Sequence, residues 1–298
     1  MKRGEELIEA PLGRVSEPMR MTPSSRPRPS GESDASRSHA SSAGVLIVNA
    51  DDWGRDRENT ERTLECVRRG TVSSVSAMVF MEDSERAAAI VREQGIDAGL
   101  HLNLTTAFSA SGPLAKLGEH QQRLARFLRR HRLAQVVFHP GLSGSFEYVV
   151  AAQLEEFHRL YGMAPERLDG HHHMHLCSNV VLGGLLPSGT WVRRNFSFEP
   201  GEKSLANRFY RKVVDRRVAR RHHLVDFFFS LPPLEPLNRL QRIFSLAEEF
   251  RVEVETHPIN PDEYGFLMGD EIPRLTANLR IAPYSAVSRF GTQTPGLA

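Results

Sequence analysis

An α/β protein built on a parallel sheet is the fold class this 298-residue sequence predicts, on three observations. From Gly44 onward, short apolar runs alternate with stretches of helical length, and strands separated by helices imply parallel pairing. The first run, Val45, Leu46, Ile47 and Val48, is apolar at every position, as in a strand covered on both faces. Polar clusters rich in Asp, His and Glu then fall at the ends of the runs. The alternation leaves open whether the sheet stays open or closes into a barrel.

The elements follow in order. After the first strand, residues 58–69 form a helix with Thr63, Leu64 and Val67 on one side. Residues 75–80 read as a second strand, and 84–94, rich in Ala, Glu and Arg, as a second helix. A third strand covers 98–104. A helix follows over 146–161, a short strand begins at 167–169 and another spans 190–194. Residues 205–221 place Leu205, Phe209, Val213 and Val214 on one side at helical spacing, with Arg208, Arg211, Arg217 and Arg221 elsewhere. Residues 225–229 form a strand, 236–250 a helix and 252–256 the last strand. No internal repeat is present.

Composition sets the bounds. Apolar residues make up 40% and charged residues 25%, enough for a sizeable core. No apolar run approaches the roughly 18 residues of a membrane helix, so no transmembrane segment is expected. The N-terminus lacks the apolar stretch of a signal peptide. Two cysteines, Cys66 and Cys177, cannot build a disulfide framework, and a reduced cytoplasm is the expected address. A formal charge of +2 is no footprint for nucleic acid. Residues 1–43 are expected to be a disordered tail rich in Ser, Arg and Pro, with Met21 a candidate start, and residues 44–298 a single domain.

Four clusters carry the chemistry. In Asn49-Ala50-Asp51-Asp52-Trp53-Gly54, two adjacent carboxylates end an apolar strand. They repel unless a cation or hydrogen bonds compensate them; the plainer reading is one helix-capping and one exposed Asp. In residues 99–105, a period of two puts Gly99, His101, Asn103 and Thr105 on one face. In residues 168–176, an extended chain would align Asp169, His171, His173 and His175, with His172 and Met174 opposite. Imidazole is the commonest side-chain metal ligand and each buried ring needs a partner, so metal binding is the favoured reading there. In the last cluster Glu253, Glu255 and His257 share a face before Pro258, and a solvated edge strand is the alternative. One aspartate and two histidines from separate strand ends make a three-ligand site with open positions, the pattern of a catalytic metal. Hydrolysis of an amide or ester follows, with a carboxylate accepting a proton and a histidine donating one.

In this order the four motifs resemble the YdjC-like family, which includes ChbG/HpnK-type carbohydrate deacetylases. The resemblance covers residues 45–266. It implies a variant (βα) barrel related to polysaccharide deacetylases, acting as a hydrolase of linear amide C–N bonds on an N-acetylated sugar or oligosaccharide. Position by position, it implies one divalent metal ion, Mg or Zn, on Asp52, His101 and His171. It also implies Asp51 as the base and His257 as the acid, with His173 second. A homodimer is compatible with it. Trp53 stands where the family usually has Phe, Gly170 where Ser is usual, and Pro258-Ile259-Asn260 where Pro-Gly is usual, which leaves substrate identity open. A metal-dependent phosphoesterase is the competing enzyme, with His172, His173 and His175 as spare ligands for a second ion. A non-catalytic sugar- or metal-binding module is the other alternative, against which a base such as Asp51 argues. The Arg-rich stretch 193–221 reads better as a solvated helix face than as a frame for an anionic or lipid-linked glycan.

Overall fold

The strands are β1 (Val45–Trp53), β2 (Ser74–Ala77), β3 (Ala98–Leu102), β4 (Arg167–Gly170), β5 (Trp191–Val192), β6 (Phe227–Ser230) and β7 (Arg251–Thr256). All pair in parallel in one sheet of order β5-β4-β3-β2-β1-β7-β6. This computed structural model describes residues 44–112, 115–130, 133–198 and 202–287, so the tail expected over 1–43 lies outside the described residues. The α-helices of six residues or more are α1 (Arg57–Arg69), α2 (Ser84–Gln94), α3 (Ala115–Arg130), α4 (Ser143–Tyr161), α5 (Ser178–Gly183), α6 (Leu205–Val218), α7 (Leu237–Leu246) and α8 (Pro261–Met268). Helix α3 was not expected from the sequence. Its inward face carries Leu117, Leu124 and Leu128 with Phe127 packed beside them, but it is interrupted by the buried Gln121.

β1 is buried at all nine positions because both its faces are covered. Leu46, Val48 and Ala50 turn outward into the main apolar layer beneath the helices, while Val45 and Ile47 turn inward. Its helix α1 starts at Asp56, whose carboxylate accepts from the Asn59 amide, and stops at Gly70 in the left-handed conformation.

The two edges of the sheet curl toward each other into an incompletely closed barrel. Val192 N–H donates to the His223 carbonyl at 2.9 Å, His223 N–H returns to Thr190 at 3.0 Å, and Ser197 N–H reaches the Phe228 carbonyl at 2.8 Å. This is the variant barrel the resemblance implied. Its floor is filled by residues 280–287. Leu46 N–H donates to Arg280, Ala282 N–H donates back to Leu46, and Tyr284 packs inside with Val45, Ile47, Trp191 and Phe228. Above this small apolar floor the interior is polar: Asn49, Asp51, Ser76, His101, Arg167, Asp169, Arg193, Glu253 and Glu255 are all buried.

Candidate active site

Two consecutive residues of a regular strand point to opposite faces, yet Asp51 and Asp52 face one centre. The cause is a β-bulge. Ala50 pairs with Val75 and Trp53 with Ala77, so β1 advances three residues while β2 advances two. The extra residue is accommodated by Asp52 in the left-handed region, at φ 65°. Asp52 Oδ1 then lies 2.9 Å from His171 Nδ1 and 3.4 Å from His101 Nε2, with Asp51 Oδ2 4.0 Å from the same His101 atom.

His101 occupies the interior face of β3. Its Nδ1–H donates to Asp169 Oδ1 at 2.7 Å, which fixes the ring and turns Nε2 toward the two aspartates. Burial opposes a charge on this ring, but Asp51 and Asp169 outweigh it and push its pKa up to about 10. The space between ring and carboxylates therefore favours positive charge. Burial likewise opposes the Asp52 carboxylate, and the His101 and His171 rings facing it hold its pKa well below the usual range.

The donor set fits a cation. Asp52 Oδ1, His101 and His171 offer three ligand atoms within 4.8 Å of one another, all from buried residues. Asp52 Oδ1 is buried and faces both rings, yet makes no hydrogen bond of acceptable geometry. One carboxylate oxygen and two imidazole nitrogens form the three-ligand pattern of catalytic divalent sites. The other such grouping among the described residues, Asp51, His101 and Asp169, has both carboxylates paired with Arg193.

The histidine run departs from the extended chain expected for it. β4 ends at Gly170, and His171–Leu176 forms a tight 3₁₀ turn with His172 and His173 at φ 54° and 57°. The four rings diverge instead of aligning. His171 meets Asp52, His172 Nδ1 contacts Thr105 Oγ1 at 2.9 Å, and His173 lies 3.7 Å from Glu255 while packing against Phe196. His175 Nε2–H donates to the Arg193 carbonyl at 2.9 Å, and burial lowers its pKa to about 4. The spare histidines therefore do not converge on a second ion. Gly170 fits this turn closely: a Cβ there would lie 3.0 Å from the His175 backbone nitrogen, so a Ser at this position would need the turn to shift by a few tenths of an ångström.

β7 is central, between β1 and β6, which overturns the solvated-edge alternative for Glu253 and Glu255. Both are buried in the interior. His257 follows β7 at the same end of the barrel. Its backbone N–H donates to Glu263, and its ring makes no hydrogen bond or ion pair among the described residues.

The residue that sequence reasoning missed is Arg193. Read as the edge of an Arg-rich solvated stretch, it is fully buried and serves four carboxylates. Its guanidinium grips Asp51 through two bonds of 2.7 Å and reaches Glu253 at 2.8 Å, Asp169 at 3.0 Å and Glu255 at 3.2 Å. Asn49 adds a 2.8 Å bond to Asp51. Burial opposes the Asp51 charge, yet Arg193, and after it His101, holds its pKa below the usual range. Glu255 goes the other way, raised by burial and then by Asp51. The signal was present: four interior carboxylates require a cation, and period two from Trp191 puts Arg193 inside. A second buried cation, Arg167, crosses β3 to Ser76 and also donates to Asp169 on its own strand, and a Cβ on Gly99 would lie 2.7 Å from its guanidinium carbon.

The profile of YdjC-like proteins matches residues 45–275. The chain is 32% identical over 141 residues to a chitooligosaccharide deacetylase of Proteus mirabilis, covering 46% of this chain and 53% of that one. It is 30% identical over 186 residues to a carbohydrate deacetylase of Geobacillus stearothermophilus, covering 61% and 65%. The matched segments thus span about half to two thirds of these relatives' lengths. A crystal structure from Enterococcus faecalis V583, of a protein named for a proposed role in cellobiose-phosphate cleavage, shares the fold. It superposes with a TM-score of 0.61 at 17% identity, over 83% of this chain and 99% of that one. With its four motifs gathered at one end of the barrel and the family profile covering most of its length, the chain belongs to the YdjC-like family.

Proposed function

We propose that this protein hydrolyses the acetamide of an N-acetylated sugar or oligosaccharide, releasing acetate and a free amine. One divalent ion, magnesium or zinc, would be held by Asp52, His101 and His171. The observation that supports the reading is the convergence of these three donors beside an ionised Asp51. A bound divalent ion supplies Lewis acidity, which polarises a carbonyl and makes a water more acidic.

The chain's own residues do the rest. Asp51 is the general base, and the two Arg193 bonds with the one from Asn49 fix its orientation and keep it ionised through the neutral range. Asp169 holds the His101 ring in place, and Arg55 holds Asp52 through a 2.9 Å bond to Oδ2. His257, whose ring is uncommitted at the rim, is the acid that donates to the leaving amine. His173 is the second candidate for that role, favoured by its position opposite Glu255. Two buried free cysteines, each pushed up to about 12 by burial and so inert, suit a cytoplasmic address.

The test is acetate release from N-acetylglucosamine oligomers by the full chain, stripped of metal and resupplied separately with magnesium, zinc, cobalt or manganese. Release that returns with one of these ions is expected. Intact oligomers with every ion, from a protein that still binds metal, would refute the substrate assignment.

A further inference from the structure

An amphipathic surface helix ordinarily turns its apolar stripe toward the core. Helix α6 does the reverse. Leu205, Phe209 and Val213, spaced by four and therefore on one face, are 81%, 68% and 46% exposed, and Val218 is its one buried residue. Exposed cations collar this ridge: Arg208, Lys212 and Arg216 alternate with it, and Arg217 and Arg220 follow. The one acid within the helix, Asp215, is turned inward, where it accepts from the Asn195 amide and pairs with Arg194.

We infer that α6 docks the protein on an anionic lipid bilayer. Leu205, Phe209 and Val213 enter the boundary between headgroups and acyl chains, while Arg208, Lys212 and Arg216 meet lipid phosphates. An apolar ridge with a basic collar is the arrangement that lies in the plane of such an interface. Charge selects this occupant over a second copy of the chain. A twofold contact sets the same patch against itself, so it would bring two sets of five cations together around the ridge. Among the described residues no helix is long and apolar enough to cross a membrane.

The same helix borders the catalytic end of the barrel. Arg211 donates to Asn195 and lies over Phe198, and neighbouring Phe196 packs against His173. Docking through the ridge therefore sets the site's orientation relative to the membrane.

The test is co-sedimentation of the full chain with vesicles of phosphatidylcholine alone or mixed with phosphatidylglycerol, at low and at raised salt. Binding is expected to the mixed vesicles and to fall with salt. The double variant Leu205→Glu/Phe209→Glu should lose it. Neutralising Arg208, Lys212 and Arg216 to Gln should weaken it on the order of a hundredfold. Both variants change exposed side chains, so their circular dichroism and unfolding temperature should match the parent's. Failure to bind mixed vesicles, equal binding to both compositions, or full binding by the double variant overturns the inference. So does a dimeric parent that the double variant converts to a monomer, which would assign the ridge to a second copy.

Discussion

Replacing Arg193 by Met removes the guanidinium, which also lies over the Phe228 ring, while keeping most of the aliphatic stem. Four carboxylates lose their shared partner at once: Asp51, Asp169, Glu253 and Glu255, all within 3.2 Å of it and all buried. Breaking a buried pair from one side costs about 3–5 kcal/mol, because the remaining charge is left uncompensated. At roughly 2–4 °C per kcal/mol for a chain of this size, the unfolding temperature should fall by about 6–20 °C. The loss carries a pH signature. In the parent, Asp51 and Asp169 are held below the ordinary carboxylate range. Their stabilisation is therefore present above about pH 4 and lost as pH falls. In the variant, burial without the cation raises both, so the folded form takes up protons and the deficit narrows as the solution is acidified. Arg193→Lys, which keeps the charge but not the fork, should fall between the two. The assay is thermal unfolding by circular dichroism with a chelator present, so that metal binding adds no stability of its own. A variant as stable as the parent near neutrality, or a deficit unchanged down to about pH 4, would refute the role given to Arg193.

Four more outcomes are expected. His101→Ala and His171→Ala should abolish stoichiometric divalent binding by isothermal titration. Asp51→Asn should keep the ion and lose about 10²–10⁴-fold in turnover; full activity in Asp51→Asn would end its assignment as base. Of His257→Gln and His173→Gln, the variant that removes the acid should lose the alkaline limb of the pH–rate profile, while the other should keep its shape. Gly99→Ala should cost about 1–3 kcal/mol, since its methyl would sit 2.7 Å from the Arg167 guanidinium carbon and 2.9 Å from that residue's carbonyl oxygen. An unchanged denaturation midpoint would show that Arg167 moves aside freely.

The alternation of strand and helix and the interior face of β3 were legible without coordinates, and the resemblance to the YdjC-like family was what singled out Asp52, His101 and His171 together. The first two are local: a strand's period of two assigns His101 and Asn103 to one face, whatever the neighbours do. The tertiary structure decided what no local period carries. The bulge that turns Asp51 and Asp52 toward one centre exists only against the register of β2. The 3₁₀ turn that scatters the histidines departs from the strand their alternation suggested. Glu253 reads equally as a solvated edge or a buried core position until β7 is seen between β1 and β6. Arg193 and the α6 ridge show the limit most clearly. The sequence determined that one strand ends in arginine and that one helix has an apolar side. Only closure of the barrel placed that arginine among four carboxylates, and only the packing of α6 through Asn195 and Asp215 left its apolar side facing outward. Burial is a property of the assembled layers, and it decides whether a charge is a core element or a solvated one.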